Sequence, residues 1–140
     1  NDEDDIVLIH DAIRPMVSAE IISDNIRVCR NHGNAITVVP CTAAMLKTYD
    51  ALSTTEQVPR DNLKITQTPQ AFFVRDIIEA HKEALSKGIT NSVASCTMYI
   101  ELGRKLYMSA GSEKNLKLTT TEDIEIFKAL LQAKKDDWMH

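Results

Sequence analysis

Two short runs of apolar residues without polar alternation lie in the first forty residues, at 6–9 and 35–39. Such runs are typical of strands that are buried on both faces of a parallel sheet. Between them, apolar residues recur at helical spacing from Ser18 to about Asn31, and Gly33 follows as a helix stop. The order strand, helix, strand therefore predicts a βαβ unit with parallel strands and a right-handed crossover.

The segment from 41 to 70 breaks this pattern, because it contains few large apolar side chains. Residues 45–48 and 63–66 predict two strands, which the polar residues 50–61 would join. Since such a segment cannot form a core of its own, we expect an extended arm or a hairpin that lies on a partner subunit. A disordered loop is the alternative.

Helical spacing returns in the second half of the chain. It predicts helices at 74–86, which Gly88 would stop, and from 90–92 up to Gly103. A third helix, at about 120–135, begins with hydroxyl and acidic residues that favour a helix N-terminus. Residues 104–108 alternate between apolar and polar, as a half-buried strand would.

The 140 residues are 44% hydrophobic and 26% charged, which is typical of one soluble globular domain. A net charge of −4 argues against a nucleic-acid-binding surface or an anionic membrane surface. The sequence has no run of about 18 apolar residues and no signal-peptide pattern. The chain starts at Asn1 and enters a buried strand almost at once, so the neighbours of that strand are unaccounted for. We therefore expect these residues to be part of a longer chain.

Cysteine and histidine spacing excludes several kinds of site. The three cysteines, Cys29, Cys41 and Cys96, form no CxxC pair and predict neither a disulfide framework nor a zinc site. Free thiols fit a reducing cytoplasm, which is the predicted location. The four histidines show no metal-ligand spacing, and we interpret His10 as a strand-end residue near the site and not as a general base.

Asp11 and Arg14 follow the first strand directly. In open α/β sheets ligands bind beyond the carboxyl ends of the strands, where this pair would lie. The carboxylate could hold a metal ion or a substrate hydroxyl, and the guanidinium could bind an anion. The alternative is a helix-capping aspartate with a surface arginine.

Four further places could carry chemistry. Arg60, in the polar arm, could reach an anion across a subunit boundary or simply be solvated. Residues 67–70 predict a polar turn whose groups bind a ligand or satisfy their own backbone. Residues 90–92 offer donors at a helix start, either for an anion or as an ordinary cap. Lys117, predicted on a short strand before the last helix, could neutralise phosphate oxygens in a transition state.

Three segments, 7–15, 67–72 and 115–123, together carry a resemblance to one family. In order and spacing they resemble the cytidylyltransferases that act on methylerythritol phosphate or ribitol phosphate. The resemblance implies a Rossmann-like α/β nucleotidyltransferase fold, a GT-A-like three-layer sandwich of which residues 1–140 form the C-terminal part of one domain. It also implies a homodimer that forms through a protruding arm at about 41–70.

The implied reaction transfers CMP from CTP to a polyol phosphate and releases pyrophosphate, with Mg²⁺ as cofactor. For the methylerythritol substrate it belongs to isoprenoid biosynthesis. By matching position, Asp11 would be catalytic, holding the polyol near the metal, and Arg14 would support its loop. Arg60 would reach the partner subunit's site, and Lys117 would orient the reacting phosphate. The remaining implied substrate contacts are Thr68, Gln70, Asn91 and Ser92.

The chain departs from the family pattern in three places. A Gly-rich loop around the CTP phosphates is absent from the 140 residues, so we expect this chain alone to be inactive. Ala43–Ala44 replaces an Asp-Thr pair, and Asn91–Ser92 replaces a Thr-Asp pair. A pocket that binds substrate hydroxyls discriminates strongly between substrates when its hydrogen-bonding residues change. The sequence therefore leaves the identity of the polyol open. A non-catalytic dimerisation module and a transferase for another nucleotide are the alternatives.

Overall fold

A mixed four-stranded sheet with helices on both faces forms the centre of the molecule. The computed structural model describes residues 4–89 and 94–139. In chain order the elements are β1 (Ile6–Ile9), α1 (Ala19–His32), β2 (Asn34–Pro40), β3 (Met45–Lys47), β4 (Glu56–Val58), a 3₁₀ turn (Arg60–Asn62), β5 (Lys64–Phe73), α2 (Val74–Ser86), α3 (Ser95–Glu101), β6 (Met108–Ala110) and α4 (Thr121–Met139).

The sheet has the strand order β1-β5-β2-β6, with β5 antiparallel to both of its neighbours and β6 parallel to β2. β1 and β2 thus run in the same direction, but they do not pair with each other. The predicted βαβ unit with parallel strands is therefore confirmed in strand direction, with the long strand β5 inserted between the two strands. The prediction that β1 is buried on both faces is wrong: in the described sheet β1 is an edge strand, and Leu8 and Ile9 are exposed.

Strand β5 contains the stretch 67–70 that the sequence predicts as a turn, and this prediction is wrong. Proline lacks an N–H group and is tolerated in strands mainly at edges and bulges. Here the register shifts between Ile36 and Val38, which pair with Gln70 and Thr66, so Pro69 lies at a bulge. The bulge lets a polar, proline-containing segment occupy the middle of a sheet.

The three-layer arrangement follows from alternation along β2 and β5. Ala35 and Ala71 pack with α1 on one face of the sheet. Their neighbours Ile36 and Phe72 pack with α2 and α3 on the other face. Because both faces are covered, β2 has an apolar run without polar alternation, and the buried strand predicted at 35–39 is confirmed.

The predicted helices at 18–31 and 74–86 are confirmed as α1 and α2. Ser18 caps α1 by accepting a hydrogen bond from the Ile21 N–H at 3.2 Å, and Gly33 ends it at a φ of 109°. The last helix continues to Met139, beyond the predicted end. The start predicted at 90–92 lies outside the described residues. The strand predicted at 104–108 is shifted, since pairing with β2 begins only at Met108.

Strands β3 and β4 form a separate antiparallel hairpin. Both strands predicted at 45–48 and 63–66 are present, as β3 and as the start of β5, but they do not form a hairpin with each other, because β5 belongs to the central sheet. Asp50 orders the connecting loop by accepting hydrogen bonds from the N–H groups of Leu52 and Ser53, and these bonds hold the pKa of its carboxyl well below the usual range. The hairpin exposes large apolar side chains, with Leu46 67% and Leu52 91% exposed. Among the described helices, none is long and apolar enough to cross a membrane.

Candidate active site

A tight turn follows β1 and is anchored on the bulged strand β5. The Arg14 N–H donates to the carbonyl of Asp11 at 3.0 Å and closes the turn. The Asp11 N–H donates to the hydroxyl of Thr68 at 2.9 Å. These bonds place the Asp11 carboxylate at the end of β1, where the sequence predicts it.

Arg14 ties this turn to the loop before α4. Its Nε donates to Oδ2 of Asp11 at 3.1 Å, and its Nη1 donates to the carbonyl of Asn115 at 2.7 Å. The Arg14 side chain is only 10% exposed, whereas that of Asp11 is 38% exposed. The alternative of a surface arginine is therefore wrong, and the carboxylate stays accessible to a ligand.

Lys117 lies on that same loop, next to the turn. The Leu118 N–H donates to the carbonyl of Ile13 at 2.8 Å, which holds the following residue against the Asp11–Arg14 turn. Lys117 itself is exposed. The loop does not form the predicted short strand, but the structure brings Lys117 to the same edge of the sheet as Asp11.

Buried amides hold this loop in place. Asn115 is fully buried and donates through Nδ2 to the carbonyl of Thr68 at 2.8 Å and to Oε1 of Gln67 at 3.2 Å. Gln67 in turn donates through Nε2 to the carbonyl of Ser112 at 2.9 Å. Sequence reasoning missed the role of Asn115, because its partners lie 47 and 48 residues away and no local pattern links them.

His10 fills the space between the turn and β5. Its Nε2 lies 3.1 Å from the carbonyl of Arg14, which can only accept, so Nε2 carries the proton. Its Nδ1 lies 2.9 Å from the hydroxyl oxygen of Thr68. Both ring nitrogens thus have structural partners, in line with the interpretation of His10 as a strand-end residue.

The other predicted contacts are distributed differently. Gln70 is buried in β5, and its Nε2 donates to the carbonyl of Gln67 at 3.2 Å. Arg60 begins the 3₁₀ turn that precedes β5, and it donates to the carbonyl of Thr42 at 2.9 Å. The roles of Gln70 and Arg60 therefore stay predictions, and Asn91 and Ser92 lie outside the described residues.

The site combines the accessible Asp11 carboxylate, its partner Arg14 and the exposed Lys117 on the adjoining loop. In the described ranges, no group of three His, Cys, Asp or Glu residues could hold a metal ion by itself. A cleft of about 340 Å³ opens beside the turn, between residues 15–18 and the second half of α4, and Lys114 is among its lining residues. This arrangement can accept hydrogen bonds from a polyol and can neutralise phosphate oxygens.

Solved structures share this fold. The 2-C-methyl-D-erythritol 4-phosphate cytidylyltransferase of Thermus thermophilus superposes with a TM-score of 0.79 at 28% identity, over 91% of this chain and 62% of that chain. The 4-diphosphocytidyl-2C-methyl-D-erythritol synthase of Anaerococcus prevotii gives a TM-score of 0.80 at 28% identity, over 91% and 58%. The fold is thus the mixed α/β fold of cytidylyltransferases.

Sequence comparison identifies the family. A ribitol-5-phosphate cytidylyltransferase of Lacticaseibacillus paracasei is 42% identical over 95% of this chain and 58% of its own length. A 2-C-methyl-D-erythritol 4-phosphate cytidylyltransferase of Geotalea uraniireducens is 33% identical over 95% and 56%. The family model described as 2-C-methyl-D-erythritol 4-phosphate cytidylyltransferase matches residues 1–133. The chain belongs to this family, and it spans a little over half the length of these curated relatives.

Proposed function

We propose that these residues form the acceptor side of an enzyme that transfers CMP from CTP to a polyol phosphate and releases pyrophosphate. The observation that supports this most strongly is the Asp11–Arg14 turn, which Thr68 anchors and beside which Lys117 lies. These are residues for which the resemblance implies roles, and they come from three distant segments of the chain.

The chemistry needs no covalent enzyme intermediate. A phosphate oxygen of the polyol phosphate attacks the α-phosphorus of CTP, the bond to the pyrophosphate oxygen breaks, and the electron pair leaves with pyrophosphate. Catalysis then depends on positioning the reactants and neutralising charge. Asp11 would accept hydrogen bonds from polyol hydroxyls, and Lys117 would balance negative charge on the reacting phosphates.

Among polyol phosphates we propose ribitol 5-phosphate. The Lacticaseibacillus paracasei relative named for ribitol 5-phosphate is 42% identical, against 38% for a bifunctional enzyme IspD/IspF of Bradyrhizobium and 33% for the Geotalea uraniireducens relative named for methylerythritol phosphate. The exposed Ala43–Ala44 pair offers no side-chain hydroxyl or carboxylate to a substrate. The replacement of the family's Asp-Thr pair by alanines supports a substrate other than methylerythritol phosphate.

Mg²⁺ fits this site only together with the substrate phosphates. Mg²⁺ is commonly held by one or two carboxylates and by phosphate oxygens, with water completing its shell. Asp11 supplies one such carboxylate, and its side chain is accessible. When bound, the ion would neutralise part of the triphosphate charge.

The arm supports a homodimer. The β3–β4 hairpin exposes Leu46, Tyr49 and Leu52, which are unusual side chains for a solvent-facing loop. Within its own subunit Arg60 donates to the Thr42 carbonyl at the base of the hairpin, and its predicted contact with phosphate would be made at a partner subunit's site. The same exposed hairpin favours the second candidate function, a dimerisation module without catalysis.

The test is pyrophosphate release from a chimera. The N-terminal part of the Lacticaseibacillus paracasei relative, which would supply the triphosphate loop, is joined ahead of residue 1 and incubated with CTP, Mg²⁺ and single polyol phosphates. We expect release with ribitol 5-phosphate, little with methylerythritol 4-phosphate, and none from the 140-residue chain alone. Asp11→Asn in the chimera should abolish release. If a folded, dimeric chimera releases no pyrophosphate with any polyol phosphate, the dimerisation module is favoured.

A further inference from the structure

The turn and the Lys117 loop belong to one closed ring of hydrogen bonds. Asp11 is bound by Arg14, Arg14 donates to the Asn115 carbonyl, the Asn115 amide donates to the Thr68 carbonyl, and the Thr68 hydroxyl accepts from the Asp11 N–H. We infer that Asn115 is a positioning residue that fixes Lys117 relative to Asp11. This inference rests on the proposed function and names a residue that would contact neither substrate.

Asn115 is the point where both sides of the ring meet. Its backbone carbonyl binds Arg14, which comes from the turn, while its side chain binds Thr68, which comes from β5. Lys117 is two residues further along. A shift of Asn115 would therefore move Lys117 away from the turn, and misplacement of a catalytic group by about 1 Å can reduce the rate about 100-fold.

The amide is chemically specified at this position. Both groups that face Nδ2, the carbonyl of Thr68 and Oε1 of Gln67, are acceptors. Aspartate would place a carboxylate against two acceptors, and leucine would remove the side-chain donor from the Thr68 carbonyl and leave Oε1 of Gln67 with only the long bond from the Ser112 N–H at 3.4 Å. Asparagine thus provides the two donor hydrogens that this fully buried site requires.

A matched control exists in the same chain. Asn25 on α1 is also fully buried, and its Nδ2 donates to the carbonyl of Ala35, to the Thr37 hydroxyl and to the Ser109 hydroxyl. The Oδ1 atoms of both asparagines have no hydrogen-bond partner among the described residues. Asn25 lies outside the ring, so Asn25→Leu should lower stability without moving Lys117.

The first experiment uses the 140-residue chain and needs no activity. Amide hydrogen exchange is compared in Asn115→Leu and Asn25→Leu, at a temperature where both are folded. We expect the N–H groups of Asp11 and Leu118 to exchange at least about 10-fold faster in Asn115→Leu than in Asn25→Leu. If Asn115→Leu does not fold, Asn115→Ser carries the same comparison. Equal exchange at both amides in the two variants would overturn the inference.

The second experiment places the same two variants in the chimera that tests the proposed function. Asn115→Leu should reduce kcat about 100-fold with little change in the KM for the polyol phosphate, whereas Asn25→Leu should keep both values. A purely structural Asn115 would give two variants with the same kcat, and that result would refute its positioning role. A parent chimera without activity would refute the proposed function only, because the exchange comparison still decides the inference.

Discussion

At the scale of single residues, Arg14 shows how burial changes what a charged side chain does. Its guanidinium donates to Asp11 and to the Asn115 carbonyl while almost fully shielded from water. A buried acceptor that loses its donor is costly, because no water replaces the lost hydrogen bond. Since the Asp11 carboxylate can still meet solvent, the Asn115 carbonyl bears most of that cost.

We expect Arg14→Met to lower the free energy of unfolding of the 140-residue chain by about 1–3 kcal/mol, measured by urea denaturation. Arg27→Met is the control: Arg27 also pairs with an aspartate, Asp24, but its side chain is 64% exposed. Exposed pairs contribute about 0–1 kcal/mol. Equal losses in the two variants would contradict the idea that the Arg14 bonds hold the turn.

The buried thiol of Cys29 should make the folded chain less stable at alkaline pH. Burial between α1 and the sheet raises the pKa of its thiol from 9.0 to about 11. The folded chain therefore keeps this proton when the unfolded chain has lost it, so stability is complete below about pH 9 and falls as the pH rises towards 11. One such group contributes a slope of up to about 1.4 kcal/mol per pH unit.

The check is urea denaturation at several pH values, with Cys29→Ala as the comparison. Tyr99 adds a loss at higher pH, because burial raises the pKa of its hydroxyl to about 12. The free energy of unfolding of the alanine variant should thus decline less steeply between pH 9 and 11. The decline at higher pH, which Tyr99 causes, should remain. If the free energy of unfolding depends on pH in the same way in both proteins, Cys29 does not contribute to the alkaline loss of stability.

At the scale of elements, the bulge in β5 and the start of the Lys117 loop depend on each other. Gly111 lies where β6 leaves the sheet, and its N–H donates to the carbonyl of Val38 at 2.8 Å. A Cβ atom there would lie 2.5 Å from Oε1 of Gln67, 2.9 Å from Cγ2 of Thr37 and 3.0 Å from the Val38 carbonyl oxygen. The glycine is therefore required by close packing and not by its φ angle.

Gly111→Ala should destabilise the chain by about 1–3 kcal/mol, since overpacking forces side chains and backbone to shift. It should also weaken the hold of Gln67 on the loop. Gly33→Ala provides the contrast: a Cβ there meets nothing within 4 Å, and only the φ of 109° is unfavourable. Thermal unfolding measures both losses, and faster exchange of the Leu118 N–H is expected in Gly111→Ala alone. If the exchange rate of the Leu118 N–H is unchanged in Gly111→Ala, Gly111 does not contribute to the position of the Lys117 loop.

At the scale of the whole molecule, the exposed hairpin predicts self-association. Replacing Leu46 and Leu52 by serine should convert a dimer into a monomer, because these side chains have little other contact to make. Leu85→Ser on α2 is the matched control, since Leu85 is also largely exposed but lies outside the hairpin. Sedimentation equilibrium measures the mass. A double variant that stays dimeric would place the interface elsewhere.

Local sequence signals determined the elements that depend on neighbouring residues. The Ser18 cap and helical spacing correctly predict α1, and helical spacing alone predicts α2, because a helix is stabilised by residues three and four positions apart. The unalternated run in β2 correctly predicts a strand covered on both faces. Three motifs in register were enough to predict the family that the comparisons identify.

Only the tertiary structure decided the strand order and the ring around Asp11. Strand β5 is polar and interrupted by Pro69, so its place at the centre of the sheet depends on pairing with β1 and β2 and not on its own composition. Asn115 and Thr68 are joined by contacts 47 residues apart in sequence. Local patterns cannot encode such contacts, because the partners come together only when the sheet forms.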